Sequence, residues 1–243
     1  SDAYLKVENF GATFPEGDIN ANISIYNVLL PELKVELNGE ADLLGMEKML
    51  GLDILSGIDG RVALECDLEG SIDRDSGRIL NRQGFLLAEL DQVGFLLAGD
   101  STQMSEVKHL NGELRLEQNL LSSQELTGTY NGNKLCLGFQ IENLVEYFMG
   151  LDKDVKAQVT AGVDTLRVAS VIQDTSVSQV LGEELTGLHF RTEALIKSGE
   201  LDDFLESKTM PALELSLDSF QLGLSSYADI SDLNASLSIA KDT

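Results

Sequence analysis

The stretch Leu135-Cys-Leu-Gly-Phe-Gln-Ile-Glu-Asn-Leu-Val-Glu-Tyr-Phe-Met-Gly-Leu-Asp152 decides how the chain reads. It opens in strict alternation, with Leu135, Leu137, Phe139 and Ile141 on one side and Gly138, Gln140 and Glu142 on the other. That is the pattern of a strand with one apolar face. At Asn143 the period changes. Leu144, Val145, Phe148 and Met149 fall on one side of a short helix, with Asn143 as N-cap and Gly150 as stop. A second alternating run (Val155, Ala157, Val159, Ala161) follows at once. The unit is strand, short helix, strand.

The unit recurs. Residues Gly39 to Asp53 align without gaps on Gly138 to Asp152, matching Glu47 to Glu146 and Gly51-Leu52-Asp53 to Gly150-Leu151-Asp152. A weaker echo runs through Glu200 to Glu206. Together these predict one elongated β-rich chain over 1–243, with internal repeat units near 33–68, 135–168 and 190–224. Elsewhere, Asn131-Gly132 predicts a hairpin. Phe85 to Leu90 and Gly94 to Ala98 read as two short apolar runs, and Ser176 to Leu185 as a short helix. The ladder Leu213, Leu215, Leu217 slips in register before Phe220, which predicts a bulge.

Nearly every strand alternates, so the fold class is all-β with a few short helices. The sheet is antiparallel, either a repeating β-groove (a curled sheet) or a closed β-sandwich. There is no rhythm of long helices between strands.

Composition bounds function. The 41 acidic against 17 basic residues give a net charge of −24, which excludes a nucleic-acid partner. Hydrophobic residues make up 43% but aromatics only 6%, without Trp, so the apolar surface is aliphatic. No run approaches the length of a membrane span. His109 and His189 read as strand residues on a wet face. Cys66, on the apolar side of its strand, and Cys136, opposite Leu135 and Leu137, read as thiols. Asp73 to Gly77 reads as a turn rather than a calcium loop. No catalytic motif, cofactor motif or metal-ligand spacing occurs. The chain is expected not to be an enzyme, and its start and finish read as those of a piece of a longer protein.

What remains is the aliphatic face. If the sheet is a trough, that face is a groove for acyl chains, whose burial needs only methylene contact. The candidate lining residues are Leu114, Leu116, Leu135, Leu137, Phe139, Val155, Val159, Leu213, Leu215 and Leu217.

The segments Lys108 to Leu116, Leu126 to Phe148 and Val155 to Val168, together with Leu37 to Leu68, resemble the C-terminal periplasmic region of AsmA-family proteins, Bacteroidetes-type members above all. These share short strands ending in glycine, a glycine hairpin, and a glycine-to-asparagine unit that runs into a short helix. At Asn133-Lys-Leu the chain departs from the Ser-Asp pair common in the family. The resemblance implies a repeating β-groove akin to bridge-like lipid transfer proteins, phospholipid as ligand and envelope proteins as partners. It also implies a periplasmic location with an inner-membrane anchor outside this stretch, and a role in lipid transport or outer-membrane biogenesis. It carries over no catalytic residue. Two rival functions stand beside it. One is a structural or adhesive β-sandwich of the cell envelope, binding protein or glycan through loops. The other is a carbohydrate-active or calcium-dependent domain.

Overall fold

A computed structural model describes residues 4–14, 17–27, 31–44, 55–72, 79–98, 104–148, 153–167, 184–197, 212–223 and 230–239. They form twelve strands and one short helix: β1 (Leu5–Phe14), β2 (Gly17–Tyr26), β3 (Glu32–Asp42), β4 (Leu55–Ile72), β5 (Ile79–Ala98), β6 (Met104–Glu117), β7 (Leu120–Tyr130), β8 (Asn133–Glu142), α1 (Leu144–Phe148), β9 (Val155–Arg167), β10 (Glu184–Ile196), β11 (Ala212–Gly223) and β12 (Ile230–Ile239). The strands make one antiparallel sheet in strict chain order, β1 to β12. It curls without closing, and β1 and β12 are its two edges. The closed sandwich, one of the two architectures the alternation allowed, is therefore not formed.

Local chemistry explains the turns. Asn131 and Gly132 both take positive φ, 47° and 79°, as a two-residue hairpin with right-handed strand twist requires. Asn131 also fixes the tip to β6: its N–H donates to the Glu106 carbonyl, and its Oδ1 accepts from the Glu106 N–H at 2.8 Å. Gln118-Asn119 makes a second two-residue turn, between β6 and β7, which the alternation did not foretell.

The bulges share a device. Asn9 of β1 and Gln92 of β5 are left-handed bulge residues. In each case the bulged N–H donates to an asparagine on the next strand, Asn9 to Asn22 Oδ1 at 2.8 Å and Gln92 to Asn111 Oδ1 at 2.9 Å. The bulge inside β5 kinks one 20-residue strand, so the two runs read as Phe85 to Leu90 and Gly94 to Ala98 are halves of a single element. The slip after Leu217 is present as a register shift between β11 and β12. Of the helix expected at Ser176 to Leu185, the first part lies outside the described residues, and its last two residues, Glu184 and Leu185, already belong to β10. Gly150, the turn at Asp73 to Gly77 and the echo at Glu200 to Glu206 lie outside the described residues.

Asn143 does begin α1, its carbonyl accepting from the Tyr147 N–H at 2.9 Å. Its side chain is used elsewhere. Nδ2 donates to the Asp154 carbonyl at 2.9 Å, and Oδ1 accepts from Asn119 Nδ2 at 2.7 Å. A second tie comes from β5. Arg82 Nη2 donates to the Gln118 carbonyl and lies 3.5 Å from Glu146 Oε1 of α1. One end of the sheet from β5 to β9 is thus cross-braced through α1. The β3–β4 and β8–β9 connections, which carry the two aligned units, leave from opposite ends of the sheet because β8 lies five strands on from β3 and therefore runs in the opposite direction.

Gly138 marks a close approach in the middle of the sheet. A Cβ there would lie 2.7 Å from the Gln124 carbonyl oxygen and 3.0 Å from Thr160 Oγ1. The backbone of β7 would have to move. Gly138→Ala is expected to lower the unfolding free energy by about 1–3 kcal/mol, measured by urea denaturation. An unchanged midpoint would mean that β7 yields freely there.

Candidate apolar binding face

Residues directly opposite in an antiparallel ladder share a face. Following the pairing from strand to strand gives rows that cross the whole sheet. One runs Phe10, Ala21, Leu37, Cys66, Leu86, Leu116, Leu121, Ile141, Ala157, Ala194, Leu213, Ile239. Another runs Phe14, Gly17, Ala41, Val62, Leu90, Gly112, Leu126, Leu137, Ala161, Phe190, Leu217, Ala235. Twelve strands thus contribute no charged residue to either row. The adjacent row Gly11, Asn20, Asn38, Glu65, Leu87, Arg115, Ser122, Gln140, Gln158, Glu193 belongs to the opposite, polar face.

All ten candidate lining residues fall on the apolar face by register. Leu116 and Leu213 stand in the first row, and Leu137 and Leu217 in the second. Between them, Phe139, Val159 and Leu215 follow one another through β8, β9, β10 and β11, and Leu114 pairs with Ala88. Leu135 pairs with Val163, and Val155 with Ile196. Leu114, Leu116, Leu135, Leu137, Phe139 and Val159 are half-buried, whereas Val155 is only 2% exposed. Val155 is therefore covered and offers the face no surface. Leu121, Leu126, Ile141 and Phe190 share the face. Alternation along β8 already places Ile141 there, whereas Leu121, Leu126 and Phe190 could be assigned only once the register was known.

Two features interrupt the aliphatic surface. Ser123, opposite Phe139, and Thr192, opposite Val159, carry buried hydroxyls without a hydrogen-bond partner among the described residues. Cys66 is buried within the first row, where burial first, and Asp67 second, push its thiol pKa up.

Depressions in the molecular surface open on the polar side. One of them, about 760 Å3, is bordered by His109, Cys136, Gly138, Gly162 and His189. Both histidines are exposed, as their strand positions implied. His109 Nδ1 lies 2.8 Å from Gln92 Oε1, and the His189 ring leans over Gly162, where a Cβ would meet Nδ1 at 3.3 Å. The exposed Cys136 Sγ donates to Glu125 Oε1 at 3.8 Å. Burial, then the Glu125 carboxylate, raise its pKa, so the thiol stays protonated at neutral pH. Cys66 and Cys136 are free thiols on opposite faces. No group of three metal-ligating side chains occurs among the described residues. Elsewhere on the polar face Lys34 bridges Glu36 at 3.2 Å and Glu69 at 3.3 Å. These bonds raise the Lys34 pKa, and the Lys34 bond lowers that of Glu36. No described helix is long and apolar enough to cross a membrane.

Comparison with family models, with curated proteins and with solved structures finds no match to this chain. The likeness to AsmA-family proteins rests on the residues quoted above.

Proposed function

We propose that the apolar face holds the acyl chains of phospholipid, and that the protein works without catalysis in lipid transport or outer-membrane biogenesis. The observation that carries this reading is the uncharged rows that cross all twelve strands of an unclosed sheet. Contiguous exposed apolar surface of this kind marks a place where something apolar docks. An aliphatic surface with few aromatics suits methylene chains, each buried CH2 contributing about 0.8 kcal/mol and a fourteen-methylene tail about 11 kcal/mol. Head groups would remain in water, so no specific polar contact is needed. The AsmA resemblance adds the periplasm, an inner-membrane anchor and envelope partners to the proposal. The unclosed sheet supports this reading over an adhesive sandwich, whose expected sign is a closed core.

The test is native mass spectrometry, with organic extraction, of protein made in a bacterial host and purified without detergent. Phospholipid at near-stoichiometric amounts is expected. Folded protein that carries no lipid, and takes none from fluorescent phospholipid vesicles, overturns the proposal.

A further inference from the structure

We infer that the two edges of the sheet formed by the described residues fit each other, so that β12 of one copy of this stretch adds to β1 of the next. The inference stands apart from the lipid reading.

Neighbouring strands alternate in direction, and there are twelve of them, so β1 and β12 run oppositely. A second copy placed edge to edge in the same orientation therefore offers an antiparallel strand. Hydrogen-bonded and non-hydrogen-bonded pairs also alternate along each row, because a residue bonded to one neighbour turns its N–H and C=O away from the other. Tyr130 and Asn133 flank a two-residue turn and form a hydrogen-bonded pair. Carried through Leu126–Leu137 to the ends of the row, this makes Phe14–Gly17 and Leu217–Ala235 bonded pairs. Gly11 and Thr13 of β1, and Ser236 and Ser238 of β12, then direct their backbone groups outward. The spacing agrees as well. Phe10, Ala12 and Phe14 would stand beside Ile239, Leu237 and Ala235 of the next copy, and every apolar row would continue.

Edge strands are usually blunted by charge, proline or bulges. Here the facing segments, Phe10-Gly-Ala-Thr-Phe14 and Ala235-Ser-Leu-Ser-Ile239, contain no charged residue and no proline, in a chain with 41 acidic and 17 basic residues. Their bulges lie outside these segments, between Val7 and Phe10 and on the other side of Ala235. Large apolar side chains stand exposed on β1, Leu5 at 60% and Phe10 at 52%. Because the two surfaces differ, such contacts are head-to-tail and open-ended.

Sedimentation velocity over a concentration series at physiological ionic strength tests the pairing. The wild type is expected to form dimers and longer species, and Thr13→Pro, which removes only an outward N–H, to stay monomeric. A second measurement does not depend on how that variant folds. In a Cys66→Ala, Cys136→Ser background, Ala12→Cys and Leu237→Cys together should cross-link into ladders on oxidation, since non-bonded pairs bring Cα atoms within disulfide reach. Each single variant should give none. A wild type that stays monomeric up to millimolar protein overturns the inference and leaves the edges to strands of other origin. Association of Thr13→Pro equal to wild type, or cross-linking of either single variant, overturns it too.

Discussion

Aspartate at both Leu137 and Phe139 is expected to leave the purified protein without extractable lipid. The two side chains stand on one face of β8, Leu137 between Leu126 and Ala161, and Phe139 between Ser123 and Val159. The change removes the aliphatic contact that an acyl chain would gain from two rows at once. It also places two carboxylates where a chain would have to strip them of water, at several kcal/mol each. Loss of lipid by unfolding is separated from loss by chemistry with a matched variant. Gln140→Asp with Gln158→Asp adds the same charge at exposed, directly paired positions on the opposite face. It should keep both fold and lipid. If the Leu137/Phe139 variant keeps the β-sheet signal in far-ultraviolet circular dichroism and still yields phospholipid, the wrong face has been assigned.

Removing Arg82 is expected to be the costliest single change at the braced end of the sheet. Arg82 and Glu146 are 15% and 21% exposed in their side chains, far less than the other ion pairs described. Either single alanine substitution leaves a mostly buried charge unpaired, at about 2–4 kcal/mol of unfolding free energy. The pair itself is poorly satisfied. Its contact is long at 3.5 Å, and Arg82 Nε and Glu146 Oε2 are buried without hydrogen-bond partners among the described residues. Arg82→Met with Glu146→Leu should therefore cost less than either alanine alone. Urea denaturation of the wild type, Arg82→Met, Glu146→Leu and their double variant closes a cycle, and a double variant as weak as those two singles summed would show that the groups do not act together.

Much of the sheet was legible because its pattern is local. Alternation from Leu135 to Ile141 identified β8, the Asn131-Gly132 pair identified a turn, and the break after Leu217 identified a register shift. The faces followed from the same period, which placed Cys66 and Cys136 on opposite sides. What escaped was non-local. The alternation fails at Gln92 because a bulge shifts the phase, so β5 read as two pieces. It fails again between Ser123 and Leu126, and the start of β7 went unread. The asparagines that secure two of these bulges, Asn22 and Asn111, sit on neighbouring strands, and nothing near Asn9 or Gln92 announces them. Arg82 and Glu146 are 64 residues apart and meet only because four strands and a helix bring them together. For the candidate face, period alone supplied its members. Only the register showed that they join into rows spanning every strand, and only its 2% exposure that Val155 offers no surface.

The strict chain order of the strands bears on how the molecule is made. Each strand bonds only to those immediately before and after it in sequence, so every closure joins nearby segments and costs little loop entropy. A sheet of this kind can assemble progressively as the polypeptide emerges, from the ribosome or on the far side of a membrane, each hairpin docking on a finished edge. No strand waits for a distant partner yet to be synthesised. The growing edge is repeatedly exposed and repeatedly covered, and its hazard of mispairing lasts only as long as synthesis of the next dozen or so residues.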